Sequence, residues 1–319
     1  MSAWQPTATR TQLQRRAELL AYIRGFFSAR DVLEVDTPAL SAVPVSDPLL
    51  TPFATQFVPE GGGTAQHLYL QTSPEYPMKR LLAAGVGPIW QLCKVFRNGE
   101  SGRRHNPEFS MLEWYRPGFD CAQLMDEVEA LVLPLLPASA VARLSYARLF
   151  ADKLDLDVFS ASVEQLAACA RQHVAFVGEL SRDGWLHLLF SHVLEPDLQQ
   201  PTFVYDFPAS QAALARVIED EQGRPVAARF ELFVAGVELA NGYWELSDAR
   251  EQAARFAADR AEQQALGQTP RAPDEHLLQA LEHGLPDCAG VALGFERLHM
   301  LSAGLTHIDQ VLAFPLARA

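Results

Sequence analysis

The 319-residue chain has no C-x-x-C pair among its four cysteines, no excess of basic residues, and no apolar run approaching the ~18 residues of a membrane span. Cys93, Cys121, Cys169 and Cys288 are scattered, which argues against a zinc ribbon or a disulfide framework and predicts thiols in a reducing cytosol. No charged-then-apolar leader opens the chain, so the expectation is a soluble, cytoplasmic protein. The formal net charge of −13 offers no basic surface for counterion-releasing contact with nucleic acid. Gly61-Gly62-Gly63 lacks the G-K-[ST] ending of a phosphate loop and reads as a surface loop. His187 and His192 are five apart, not at the four-residue step that brings two imidazoles to one metal, and read as structural.

What is present can bury a full core. The hydrophobic content is 49%, and the length allows one large domain or two small ones; a single domain over residues 1–319 is the expectation. Leu13, Ala17, Leu20, Ile23, Phe26 and Phe27 predict an amphipathic helix over 11–29, followed by a strand over 32–37 that Pro38 stops. A strand from His67 to Thr72 runs into Ser73, a good N-cap, with Pro74 at the first helical position and Glu75 in the first turn. Further helices are expected over 120–133, from a capping box at Ser162-Val163-Glu164-Gln165 toward Gln172, over 183–194, and from Ser247-Asp248 to about Leu266, with a strand over 202–207.

The most informative stretch runs from Phe96 to Tyr115. Gln91 to Arg97 and Glu108 to Arg116 are strand-like, and the residues between them hold Gly, Asn, Ser, three basic residues and Pro107. By the period of two, Phe109, Met111, Glu113 and Tyr115 share one face. Arg97, Arg103, Arg104 and His105 cluster at the tip, where a guanidinium can grip phosphate through two parallel hydrogen bonds. Aromatic plate, arginine clamp and acid together suggest a nucleotide site.

Two other segments add chemistry. Phe230 to Leu239 reads as a tight hairpin with Ala235-Gly236 at its tip, which sets Val234 opposite Val237, Glu231 opposite Ala240, and Glu231 diagonal to Glu238 on one face. Two carboxylates that close call for a cation between them, and magnesium held by one or two carboxylates plus nucleotide phosphates is the usual arrangement; two exposed acids on a solvated face is the alternative. Asn241, Tyr243 and Glu245 continue at strand period. Gly290 to Ala303 combines closely spaced glycines with Arg297 entering a helix, which lets backbone approach a ligand and a guanidinium stack on a base.

These segments resemble one family. F-R-N, H-N-P-E-F and M-L-E-W-Y are similar to motif 2 of the class II aminoacyl-tRNA synthetases in the lysyl subtype, LEVDTPAL (Leu33 to Leu40) to motif 1, and GVALGFERLHML (Gly290 to Leu301) to motif 3. Ser73-Pro74-Glu75 and ELANGYWE (Glu238 to Glu245) resemble the lysine-pocket segments. The resemblance implies an α+β fold, an antiparallel sheet flanked by helices, and a homodimer built on the first helix and strand; an ordinary helix packed on its own sheet stays open there. The chain begins almost directly with the catalytic core, so no anticodon-binding β-barrel is expected. A stand-alone core of this kind is similar to ligases that attach activated (R)-β-lysine to a lysine side chain of elongation factor P instead of to tRNA.

Carried onto this sequence, the resemblance makes Arg97 and Arg297 catalytic. Ser73, Pro74, Glu75, Glu113, Tyr115, Asn241, Glu245 and Ala292 would bind the amino acid. ATP would meet Arg97, Asn98, Gly99, Glu100, His105, Asn106 and Phe109 of the hairpin, Glu238 and Leu239, and Gly294 and Arg297, with Phe109 and Arg297 sandwiching adenine. Glu231 and Glu238 would hold Mg²⁺. In two places the pattern departs from the family: Gly99 stands where F-R-N-E has its glutamate, with Glu100 next, and Ala292 replaces a glycine common in lysyl synthetases. Two other functions stay open, a truncated synthetase acting on tRNA or making dinucleotide polyphosphates, and a catalytically silent paralogue that binds a regulatory partner.

Overall fold

A computed structural model describes residues 4–319. Along it run α1 (Arg10–Ser28), β1 (Leu33–Glu34), β2 (Leu40–Ser41), β3 (Ala54–Phe57), β4 (Gln66–Leu70), α2 (Glu75–Ala83), β5 (Ile89–Phe96) and β6 (Glu108–Pro117). Next come α3 (Cys121–Val132), β7 (Ala142–Ser145), α4 (Tyr146–Leu154), α5 (Val163–His173), α6 (Arg182–Leu189), β8 (Thr202–Pro208), β9 (Val217–Glu219), β10 (Pro225–Val234) and β11 (Val237–Trp244). The chain closes with α7 (Ala249–Ala265), α8 (Glu275–Gly284), β12 (Cys288–Gly294) and α9 (Phe295–Ser302).

By its contacts the chain divides into two compact units. One takes the chain through Gly118, with Leu246–Cys288 and Ala292–Ala319; the other takes Phe119–Glu245 with Ala289–Val291. In the first unit the strand order is β1-β5-β6-β12, and β2-β4-β3 form a separate small sheet. Its centre is the β5–β6 hairpin, in register from Ile89 opposite Tyr115 to Phe96 opposite Glu108. Residues 110 to 115 are all buried, so both faces of β6 are covered. Phe27 of α1 stacks on Trp90 at 5.0 Å and meets Trp114 edge-on at 5.3 Å. The strand expected over 32–37 shrinks to Leu33–Glu34, parallel to Ile89 and Trp90.

The second unit orders its strands β11-β10-β8-β7, with β9 beside β10. Its helices cover an aromatic core in which Tyr146 lies parallel to Phe190 at 5.4 Å and close to Phe150 and Phe207. The capping box expected at Ser162/Gln165 starts α5, and a second one at Asp120/Gln123 starts α3, the helix expected over 120–133. The helix expected over 183–194 is α-helical only to Leu189, and a π-turn carries Phe190–Leu194.

The sheet is mixed, where an antiparallel one was expected. β5–β6, β8–β10 and β10–β11 are antiparallel, but β1 runs parallel to β5 and β7 parallel to β8. The parallel partners are short and are reached through helical or looped connections, as parallel pairing requires.

Candidate active site

In the first unit the amino-acid segments converge around a chain of hydrogen bonds. Glu75 opens α2, with Pro74 at the N-cap; the helix begins one residue later than Ser73 as N-cap would give. Ser73 Oγ still accepts the Glu75 N–H at 3.0 Å, and it donates to Glu113 Oε2 at 2.9 Å. Tyr115 OH donates to Glu113 Oε1 at 2.7 Å, as two residues on one strand face can. Glu75, Glu113 and Tyr115 are all buried. The structure adds a residue the sequence reading passed over: Lys79 Nζ donates to Glu75 Oε1 at 2.6 Å from the next turn of α2. The signal was E-x-x-x-K at helical spacing.

The hairpin tip gathers the phosphate-type groups. Arg97 Nη1 is 3.6 Å from Glu100 Oε1, its Nε reaches the Thr72 carbonyl at 3.4 Å, and its guanidinium carbon stands 5.3 Å from the Phe109 ring centroid. Gly99 has φ +89°, in the left-handed region that favours glycine, so the residue replacing the family's glutamate serves the turn and Glu100 carries the acid toward Arg97. Arg297, in α9, donates through Nη2 to His105 Nε2 at 2.6 Å. Gly294 caps α9, and a methyl there would come within 3.4 Å of Arg297 Cδ. Asn98 is exposed with its N–H on the Thr51 carbonyl. Asn106 is buried and spent on the fold: its amide donates to the Glu108 carbonyl and accepts the Leu316 N–H. Ala292 lies half-buried on β12.

In the second unit the β10–β11 hairpin turns at Ala235-Gly236, both at positive φ, with Val234 opposite Val237 as expected. The register then shifts. Phe233 pairs with Glu238 but Leu232 pairs with Ala240, so Leu239 is the extra residue of a bulge and Glu231 lies opposite Asn241, not Ala240. Arg229, two residues before Glu231 on the same strand, pairs with its carboxylate and donates to the Gln211 carbonyl at 2.9 Å. R-x-E at strand period was the signal for this contact. Burial pushes the Glu231 carboxyl up to about 7, Arg229 opposing and Glu238 adding to the rise. Asn241 Oδ1 is buried without a hydrogen-bond partner. Glu245 is buried, and its carbonyl accepts Arg216 Nε and Nη2 at 3.1 and 3.0 Å.

Among the described residues no group of three or more His, Cys, Asp and Glu gathers for a metal ion. A magnesium ion that takes most ligands from phosphate and water needs only one or two carboxylates. Glu231 and Glu238 offer two carboxylates on adjoining strands of the hairpin, and the like charge of Glu238 adds to the rise that burial causes at Glu231, a repulsion that a bound cation would relieve.

The family model for tRNA synthetases class II (D, K and N) matches residues 3–318. Proteins named Elongation factor P--(R)-beta-lysine ligase are similar along their whole length. That of Edwardsiella ictaluri is 50% identical over 324 residues, 100% of this chain and 99% of its own. The Vibrio parahaemolyticus protein is 51% identical over 317 residues, 98% of each, and that of Salmonella arizonae 48% over 323 residues, 100% and 99%.

Proposed function

This chain belongs to the class II tRNA synthetases (D, K and N), and from that premise we propose that it is an ATP-dependent ligase that activates (R)-β-lysine as an acyl adenylate and transfers it to a lysine side chain of elongation factor P. The observation that carries the reading is full-length identity of about half to proteins of that name. The linked Ser73–Glu113–Tyr115 and Ser73–Glu75 contacts support it, since they hold two buried acids in one network and the amines of a diamino substrate call for acids. We propose further that the described chain acts as a single catalytic domain, in the cytoplasm, as a homodimer through α1 and β1. No helix among the described residues is long and apolar enough to cross a membrane.

In the first step a carboxylate oxygen of β-lysine attacks the α-phosphorus of ATP in line, and pyrophosphate leaves with the electrons of the α–β bridge. Arg97, His105 and Arg297 would stabilise charge on the phosphate oxygens, the kind of preorganised contact that gives phosphoryl transfer most of its rate. Glu75 would bind an amine of the substrate, with Tyr115 and Glu113 assisting, and Glu245 is the acid proposed for its second amine. Glu231 and Glu238 would hold magnesium, which neutralises phosphate charge when bound. In the second step the neutral ε-amine of the acceptor lysine attacks the adenylate carbonyl; an amide bond forms as the carbonyl's bond to the bridging anhydride oxygen breaks, AMP leaves with that oxygen, and the amine's proton is released. No covalent enzyme intermediate is required.

Pyrophosphate exchange with a panel of amino acids, followed by mass spectrometry of elongation factor P, tests the reading. Exchange strongest with (R)-β-lysine and a mass gain of one lysyl residue are expected. Exchange with α-lysine and transfer to tRNA would overturn it.

A further inference from the structure

Lys79 is 2% exposed. A buried ammonium is costly unless paired, and replacing a buried ion pair with apolar side chains of similar size is often neutral or stabilising. Its α2 neighbours Met78 and Leu82 are themselves buried apolar residues, so a methionine or leucine at 79 would suit the same helix. Stability therefore does not explain the lysine.

Its contact does. Nζ lies 2.6 Å from Oε1 of Glu75, a short charge-assisted bond to one carboxylate oxygen. The main chain of Glu75 is held independently, because its N–H donates to Ser73 Oγ, which donates to Glu113, which also accepts from Tyr115. Glu75 is thus fixed at both ends: Ser73 sets where its backbone starts the helix, and Lys79 sets the direction of its side chain. A flexible glutamate would lose two or three rotatable bonds of freedom each time it bound an ammonium. One already ordered by Lys79 has given up that freedom on folding.

We propose that Lys79 is a specificity-determining positioning residue, which orients the Glu75 carboxylate through Oε1 so that Oε2 is presented to one ammonium of the lysine-type substrate. The proposal rests on the reading of Glu75 as an amine-binding acid. Lys79 does not touch the substrate; it keeps a buried carboxylate pointed, and so favours a substrate that brings a charged amine over one that brings a neutral group of the same length.

Two variants test this in pyrophosphate exchange. Lys79→Gln can still donate a hydrogen bond but loses the charge. It should raise KM for the amino acid at least tenfold and leave KM for ATP within twofold, because the Glu75 carboxylate then loses the charged contact that points it. Lys79→Arg keeps the charge but should raise KM for the amino acid at least threefold, since a longer, planar guanidinium meets the carboxylate in a different geometry. An unchanged KM for the amino acid, or equal increases in both KM values, overturns the proposal. If Lys79→Gln does not fold, an Arg variant with native KM overturns it equally. Wild-type protein that exchanges with no lysine isomer would overturn the functional reading itself and this inference with it, whereas exchange by wild type and an indifferent Lys79→Gln would overturn only the role of Lys79.

Discussion

The guanidinium carbon of Arg97 stands 5.3 Å from the centroid of the Phe109 ring, and Glu100 holds the same guanidinium at 3.6 Å. The proposed mechanism asks Phe109 to stack on adenine and Arg97 to grip the α-phosphate. In this structure one residue lies near the other's expected partner surface. A cation over an aromatic ring at a partly exposed site is worth about 0.5–1 kcal/mol, a contact a nucleotide can displace.

Arg97→Ala should therefore lower pyrophosphate exchange by about 100-fold or more, the usual result of losing a preorganised charge contact at a reacting centre. Circular dichroism should be unchanged, because the hairpin register is carried by main-chain pairing from Ile89 to Phe96 and not by this side chain. Exchange within threefold of wild type would remove Arg97 from the mechanism.

Gly242 sits opposite Phe230, and a methyl on it would come within 2.6 Å of the ring's Cε1. The ring cannot retreat freely, since Phe203 packs edge-on against it at 5.5 Å. Gly242→Ala should cost about 1–3 kcal/mol by overpacking and lower Tm by roughly 2–4 °C for each of them. Calorimetry is the check. Because Asn241 and Tyr243 flank the glycine, KM for the amino acid should rise together with the loss of stability; an unchanged Tm would mean that Phe230 moves aside at little cost.

Legibility from sequence followed the physics of each element. Capping boxes are local, a side chain bonding its own helix end, and the one at Ser162 could be placed to the residue, whereas at Asp120 only the helix was legible. The Ala235-Gly236 turn was equally local. The bulge at Leu239 was not, because an extra residue in a strand of Val, Leu and Ala leaves the alternation looking intact while it moves Glu231 from Ala240 to Asn241. Lys79 and Arg229 were missed for a related reason: a lysine in a helix and an arginine in a strand ordinarily read as solvated, and only the fold buries them beside Glu75 and Glu231. Motif 2 was legible because its arginines, aromatic and acid fall within twenty residues on one hairpin.

Asp206 gives a pH-dependent test of the second unit. It takes φ +57° where the β8–β10 register shifts, and burial, with Asp220 and Glu221 adding like charge, pushes its carboxyl up from 3.8 to about 6. The folded state then binds a proton more tightly than the unfolded chain, so the associated stability is present in acid and lost as pH rises through about 6. Asp206→Asn removes the penalty and tolerates the left-handed backbone. Discounted for partial solvent screening, the gain should be about 1 kcal/mol at pH 7.5, roughly 2 °C in Tm, and should vanish near pH 4. An equal gain at both pH values would trace it to something other than the charge.

The acids of the β10–β11 hairpin separate by what each holds. Glu231 is buried against Arg229, so Glu231→Gln leaves a buried guanidinium without its counter-charge, a loss of about 3–5 kcal/mol for a broken buried pair. A drop in activity with that variant would confuse metal binding with folding. Glu238 is less buried; its charge raises the Glu231 carboxyl but also favours the Arg229 cation, so Glu238→Gln should cost far less stability than Glu231→Gln. If Glu238 holds magnesium, the same variant should raise the Mg²⁺ concentration for half-maximal pyrophosphate exchange by about tenfold, the lower end of what losing a partner at a metal site costs. Both readouts come from one protein: stability kept with a displaced magnesium titration places Glu238 at the metal. Stability kept with an unmoved titration leaves the two carboxylates as a pair whose cation is Arg229 alone.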